Sequence, residues 1–165
     1  MSIIHHHKLL ILDFGSQYTQ LIARKVREIG VYCELVPYDV NPHFIEKFGP
    51  SGIILSGGPD TVIQNDSARA PEIVFELNIP ILGICYGMQT MAVQLGGEAN
   101  SAKKSEFGFA QIRARNHSKL LSDIHDEINQ NGHGLLDVWM SHGIEVTKLP
   151  PNFELIASSE NCPIA

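Results

Sequence analysis

The sequence predicts an α/β protein: an open, mostly parallel sheet with helices on both faces, followed by antiparallel additions. Three observations carry that expectation. Short apolar runs alternate with helical patterns through the first half of the chain, the signature of a parallel sheet covered by helices. The run Ile81, Leu82, Ile84 is bounded by Pro80 and glycine, which suits a strand buried on both faces. Beyond Gly97 the pattern changes, and the segments between apolar runs become too short or too polar for a regular βαβ repeat.

The elements follow in order. Residues 8–12 read as a first strand, and Ser16 as the cap of a helix that buries Leu21, Ile22, Val26 and Ile29 before Gly30 ends it. Residues 32–36 read as a second strand. Asn41 is the expected cap of a short helix through Phe44, Ile45 and Phe48, and residues 52–55 form a third strand that enters Ser56-Gly57-Gly58-Pro59. Pro71 suits the first turn of another helix. The strand at 81–84 then bends sharply into a helix carrying Met88, Met91, Ala92 and Leu95 at helical spacing. Residues 107–113 and 136–140 are expected strands. A short helical stretch is expected around Leu120, Leu121 and Ile124, with Ser118 as its cap. Crossover connections would bring the C-terminal ends of the parallel strands to one edge, where ligands of open α/β sheets bind.

Composition bounds the function. A chain of 165 residues fits one domain and buries roughly 70% of its unfolded surface, enough for a core without metal or disulfide staples. Residues 1–7 read as a leader and 8–165 as the domain; the run His5-His6-His7 in that leader is assigned no function. Cys33, Cys85 and Cys162 give an odd count with no C-x-x-C spacing, and no secretory leader or long apolar span is read, so a reducing cytoplasm is the expected location and no membrane the expected partner. The net charge of −6 argues against a nucleic-acid surface. No metal site is expected.

Gly83-Ile84-Cys85-Tyr86-Gly87 places one cysteine on the bend between strand and helix. Flanking glycines let the chain turn tightly without a Cβ clash, as in the elbow that exposes a nucleophilic serine. A thiolate there is favoured by the helix macrodipole, and free N–H groups at the helix start can stabilise an oxyanion. A core cysteine is the competing reading. It does not require glycines on both sides, which sets acyl transfer through a thioester ahead of packing. Ser56-Gly57-Gly58-Pro59 is either a plain turn or an oxyanion loop whose glycines let backbone N–H groups approach a tetrahedral intermediate. In Trp139-Met140-Ser141-His142-Gly143, His142 is either a general base or a histidine exposed by a polar loop; the loop reading is preferred.

These segments, with Leu12-Asp13-Phe14-Gly15-Ser16-Gln17-Tyr18 and Gly30-Val31-Tyr32-Cys33-Glu34, resemble the class I glutamine amidotransferases almost end to end, and within them the amidotransferase part of GMP synthetases. The resemblance implies a flavodoxin-like sheet and a reaction in which Cys85 attacks the side-chain amide of glutamine, ammonia leaves and water releases glutamate. It implies that Gly58 and Tyr86 supply oxyanion N–H groups, and that Gln89, Ser141 and His142 hold the glutamine. It implies no cofactor in this domain. The partner would be an ATP-pyrophosphatase synthetase region, in the same chain or a separate subunit, that uses ATP and magnesium to activate xanthosine monophosphate for conversion to GMP.

The family carries its base and orienting carboxylate in a Phe-His-Pro-Glu segment beyond the strand expected at 153–157, and the sequence reaches Ala165 without that segment. This chain alone is therefore expected to turn over poorly, and a non-catalytic glutamine-binding or interaction module stands as the alternative function. A cysteine hydrolase on a similar sheet is the third. Ser105 stands where the family commonly has arginine, and Ile144 where it has aspartate.

Overall fold

In a computed structural model the described residues are 7–114 and 118–164, so of the histidine run His5 and His6 lie outside them. The chain divides into two compact units, Met1–Gln94 and Leu95–Ala165.

The first unit is a parallel sheet of β1 (Lys8–Asp13), β2 (Tyr32–Pro37), β3 (Gly52–Leu55) and β4 (Ile81–Gly83) in the order β2-β1-β3-β4. Its helices are α1 (Thr19–Glu28), α2 (Pro42–Phe48), α3 (Ile73–Glu76) and α4 (Tyr86–Gln94). Alternation along β1 sends Ile11 to one face, where it joins Cys33 and Ile54 against Ala23 and Val26 of α1. Leu10 and Leu12 point to the other face, and both are fully buried. β1 and β3 are apolar because each is covered on both sides.

The amphipathic face of α1 differs from the expected one. Leu21 and Ile29 are exposed, at 48% and 78%, while Thr19, Ala23 and Val26 are buried. The α1 residues that turn inward are 19, 23 and 26, with Ile22 packed beside them; Leu21 and Ile29 fall off that stripe. Ser16 does not cap α1 directly. Its Oγ accepts from Tyr18 N at 3.1 Å and thereby shapes the turn that feeds the helix. Gly30, at φ +81°, ends it as expected. Asn41 caps α2 by accepting from His43 N at 2.9 Å. Pro71 stands just before the α3 cap, its carbonyl accepting from Val74 N at 3.0 Å. β4 is not buried on both faces: it closes one edge of the four-stranded sheet, and Leu82 is 40% exposed. α4 turns polar Gln89 and Thr90 inward with Ala92, and Met88 and Met91 are only half-buried.

The second unit is antiparallel, as the change of pattern predicts. β5 (Glu98–Ala114) and β7 (Gly134–Lys148) form a long ribbon, with β6 (Glu127–Ile128) on β7 and β8 (Ala157–Ser158) on β5. No helix forms around Leu120 to Ile124. Ser118 Oγ accepts from Leu120 N at 3.1 Å, but the segment goes no further than a turn, with Asp123 at φ +59°. A left-handed residue there stops helix propagation. The strand expected at 153–157 is reduced to Ala157–Ser158, and Phe153 is 42% exposed in the preceding turn.

Among the described residues no helix is long and apolar enough to cross a membrane.

Candidate active site

Three loops leave the C-terminal ends of β1, β3 and β4 and meet at one edge of the parallel sheet. Strand order reverses there, because β2 lies to one side of β1 and β3 to the other. The first loop is shaped by Asp13, whose Oδ1 accepts from Gly15 N at 2.9 Å and from Thr19 Oγ1 at 2.7 Å. The second begins at Ser56, which is fully buried. Its Oγ accepts from Phe14 N at 3.0 Å and donates to the Gly57 carbonyl at 2.8 Å, so one hydroxyl ties the first two loops together.

Of the two glycines in the second loop, Gly58 is required by close approach, while a side chain on Gly57 would make only ordinary contacts. A Cβ on Gly58 would stand 2.4 Å from the Phe14 carbonyl oxygen. A Cβ on Gly57 would fall 3.5 Å from Cys85 Cβ and 3.6 Å from Ser16 Oγ, so Gly57 lies between the first and third loops.

The third loop is the elbow. Cys85 has φ +50°, a left-handed backbone that a non-glycine residue adopts at a cost of roughly 1–2 kcal/mol. The strain is held by bonds on either side: Ile84 N donates to Leu55 O at 2.9 Å, Gly87 N to Ser56 O at 3.0 Å, and Gln89 N to Cys85 O at 3.1 Å. The flanking glycines are packing requirements. A Cβ on Gly83 would come within 2.7 Å of Met88 Cα, and one on Gly87 within 2.2 Å of Leu55 O. α4 thus crosses β3 and β4 at backbone contact, and the bend lifts Cys85 out: it is exposed, while Cys33 and Cys162 are buried.

Exposure does not make its thiol acidic. Protein packed around the sulfur pushes the Cys85 thiol up from its ordinary value by desolvation, although the residue as a whole is open to solvent. Desolvation therefore opposes the preference for the thiolate that the helix macrodipole provides. No hydrogen bond to Cys85 Sγ is present among the described residues, and no group of His, Cys, Asp or Glu there is arranged to hold a metal ion.

Tyr86 begins α4 and is 2% exposed; its ring packs on Phe14 at 5.4 Å and its hydroxyl donates to Ala68 O at 2.8 Å. The N–H groups of Gly58 and Tyr86 donate no hydrogen bond among the described residues. Gln89 is buried one turn into α4. Cys85, Gly58, Tyr86 and Gln89 are thus brought to one sheet edge.

Ser141 and His142 belong to the second unit and lie within β7, paired with Phe107 and Glu106. The loop reading of His142 is corrected: its ring is largely buried, and Nε2 lies 3.2 Å from Glu106 Oε2. Glu106 also accepts from Ser159 Oγ at 2.9 Å and Asn161 Nδ2 at 3.1 Å. Burial opposes its ionisation, but the hydrogen bonds from Asn161, Ser159 and His142 overcome that and hold the carboxyl below its ordinary value. The side chain is covered by its immediate neighbours while lying close beneath the surface, which keeps the charged form tolerable. His142 Nδ1 is buried without a hydrogen-bond partner.

Sequence reasoning missed this cluster. It also missed the polar stripe Tyr86, Thr90 and Gln94 on α4, whose i, i+4, i+8 spacing was the available signal.

Comparison with known proteins agrees with this geometry. Residues 10–165 match the family described as glutamine amidotransferase class-I. The chain is 72% identical over 165 residues to a GMP synthase [glutamine-hydrolyzing] of Ruthia magnifica, covering all of this chain and 31% of that protein. It is 64% identical over 160 residues to the protein of the same name from Thiobacillus denitrificans, covering 97% of this chain and again 31% of the other. The chain thus spans about a third of the length of these curated relatives. Among solved structures, a Thermoplasma acidophilum protein assigned as a GMP synthase subunit superposes with a TM-score of 0.76 at 28% identity, covering 96% of this chain and 75% of that one.

Proposed function

The chain belongs to the class-I glutamine amidotransferases, and on that footing we propose that it is the glutamine-hydrolysing part of a GMP synthase, with Cys85 as its nucleophile. The observation that carries the proposal is the left-handed backbone of Cys85 between two glycines that admit no side chain. That conformation costs energy and improves no packing, since it leaves the cysteine exposed.

Cys85 Sγ forms a bond to the side-chain carbonyl carbon of glutamine, and the carbonyl electron pair moves to oxygen. The N–H groups of Gly58 and Tyr86 receive that oxyanion. A base returns the Sγ proton to the amide nitrogen, and collapse breaks the C–N bond to expel ammonia and leave a thioester. Water then adds to the thioester, releasing glutamate and restoring the thiol. Gln89, on α4 beside the elbow, holds the substrate. The raised thiol pKa means that the proton on Sγ must be taken by a base before attack. We assign that base to the histidine of a Phe-His-Pro-Glu segment, oriented by its glutamate, and expect little turnover without it.

Ammonia passes in this proposal to a synthetase region that uses ATP and magnesium to aminate xanthosine monophosphate to GMP. The names of the relatives and the third of their length that this chain spans support the reading. Glutamate release tests it, measured for this chain, for the chain lengthened through the Phe-His-Pro-Glu segment, and for Cys85→Ala in each. The lengthened chain should be faster by at least ~100-fold, the lower range for general acid–base catalysis, and Cys85→Ala should abolish the difference. Equal rates in the two lengths, abolished by Cys85→Ala, would place the base within these residues and make His142 the leading candidate. Activity that survives Cys85→Ala would remove Cys85 from the mechanism.

A further inference from the structure

An oxyanion hole whose two donors sit on different elements works only if those elements are locked together. Gly58 belongs to the loop after β3, and Tyr86 to the start of α4. Beyond Pro59 the chain makes a surface excursion through residues 60–70 before α3; Tyr86, Thr90 and Gln94 of α4 bond its far end at Ala68 and Ala70, and the Arg69 side chain joins its near end, at Val62, to α4. Arg69 donates from Nη2 to the Val62 carbonyl at 2.8 Å and from Nη1 to Thr90 Oγ1 at 3.2 Å. Val62 is four residues beyond Gly58 and 1% exposed; Thr90 is one turn beyond Tyr86 and fully buried.

Arg69 makes no ion pair among the described residues, so its bonds go to a backbone carbonyl and a neutral hydroxyl. A planar fork with two fixed directions suits that task; a lysine ammonium does not reproduce it. Nearby bonds fix the far end of the excursion to the same helix. The Gln94 side chain bonds both the N–H and the carbonyl of Ala70, at 3.0 and 2.9 Å.

We infer that Arg69 is a positioning residue for the oxyanion hole, bracing the Gly58 loop against α4 so that the Gly58 and Tyr86 N–H groups keep one spacing. This rests on the reading of Cys85, Gly58 and Tyr86 given above and adds the group that holds them.

The test compares two reactions of Cys85 in the full 165-residue chain. With p-nitrophenyl acetate, Sγ bonds to the acyl carbon through an oxyanion and p-nitrophenolate leaves. With iodoacetamide, Sγ displaces iodide and no oxyanion forms. Both need the thiolate, so the ratio of the two rates cancels its pKa and reports the hole. Rates are corrected with Cys85→Ala, and the ratio is compared with that of free glutathione.

The unmodified chain should exceed the glutathione ratio by at least about 10-fold, given the ~100-fold or greater effect of single oxyanion donors. Arg69→Met and Arg69→Lys should both lose most of that excess, with iodoacetamide rates within about twofold of the starting chain and an unchanged near-ultraviolet circular dichroism spectrum. Thr90→Val, which spares the Arg69–Val62 bond but removes those of Thr90 Oγ1 with Arg69, the Ala68 carbonyl and Gln94 Oε1, should do the same and serves if Arg69→Met fails to fold. A ratio no higher than that of glutathione in the unmodified chain overturns the oxyanion reading itself. An excess that survives Arg69→Lys and Thr90→Val, or a parallel fall of both rates, overturns the bracing role while leaving that reading intact.

Discussion

Gly87 packs so closely on Leu55 that a Cβ built on it would stand 2.2 Å from the Leu55 carbonyl oxygen, in backbone that has no side-chain freedom with which to move away. The same Leu55 oxygen accepts from Ile84 N, on the other side of Cys85. The elbow is therefore clamped to β3 at one carbonyl. Gly87→Ala should lower stability by about 3 kcal/mol or more, at or beyond the upper range for overpacking, because backbone and not a flexible side chain must shift. A urea titration checks it; an unchanged midpoint would show that α4 can slide without cost.

Cys85 should be modified by a glutamine-like electrophile faster than Cys33 or Cys162. The latter two are 1% and 3% exposed, and Cys162 is further held protonated by burial and by the nearby carboxylates of Glu145 and Glu106. Peptide mapping after brief labelling of folded protein reads the order, and equal labelling of Cys85 and Cys33 would count against the elbow.

The pH dependence of that reaction follows from the direction of the Cys85 shift. Desolvation raises its pKa, the reactive species is the thiolate, and the rate should therefore climb with pH and reach half its maximum above the ~8.5 of a free thiol. A midpoint below that value would show that the helix macrodipole outweighs desolvation here.

Glu106→Gln should destabilise the second unit by about 1–3 kcal/mol at neutral pH, since charge-assisted bonds from Ser159, Asn161 and His142 converge on the carboxylate. The folded pKa lies below the unfolded one, so this contribution is present above the unfolded value of about 4.3 and is lost as pH falls through the folded pKa. The difference in urea midpoint between the two proteins should shrink on acidification. A difference that stays constant into acid would assign it to shape and not to charge.

Ser56→Ala should cost about 1–3 kcal/mol, because it leaves the buried Phe14 N–H without its acceptor. It should also slow carbonyl attack at Cys85 more than alkylation, since the same hydroxyl holds the Gly57 carbonyl. Equal effects on the two reactions would confine Ser56 to stability.

The sequence by itself determined the parallel strands, the elbow and its cysteine, the Asn41 cap and the change to antiparallel pairing beyond Gly97. Each is a local signal: apolar runs of strand length, a side-chain oxygen ahead of a helix, glycines at a bend. Tertiary structure decided which face of α1 is buried, since Leu21 and Ile29 are apolar yet point away from the sheet while Thr19 turns inward to Asp13. It decided that 118–124 stops at a turn despite a helical pattern, because an isolated helix that short is not stable without packing. It also decided how His142 is held. Glu106 and His142 are 36 residues apart and meet only through strand register, and Ser159 and Asn161 reach them from beyond β8. Periodicity reports neighbours along one element; hydrogen bonds between elements depend on register and crossing, which no window of the sequence contains.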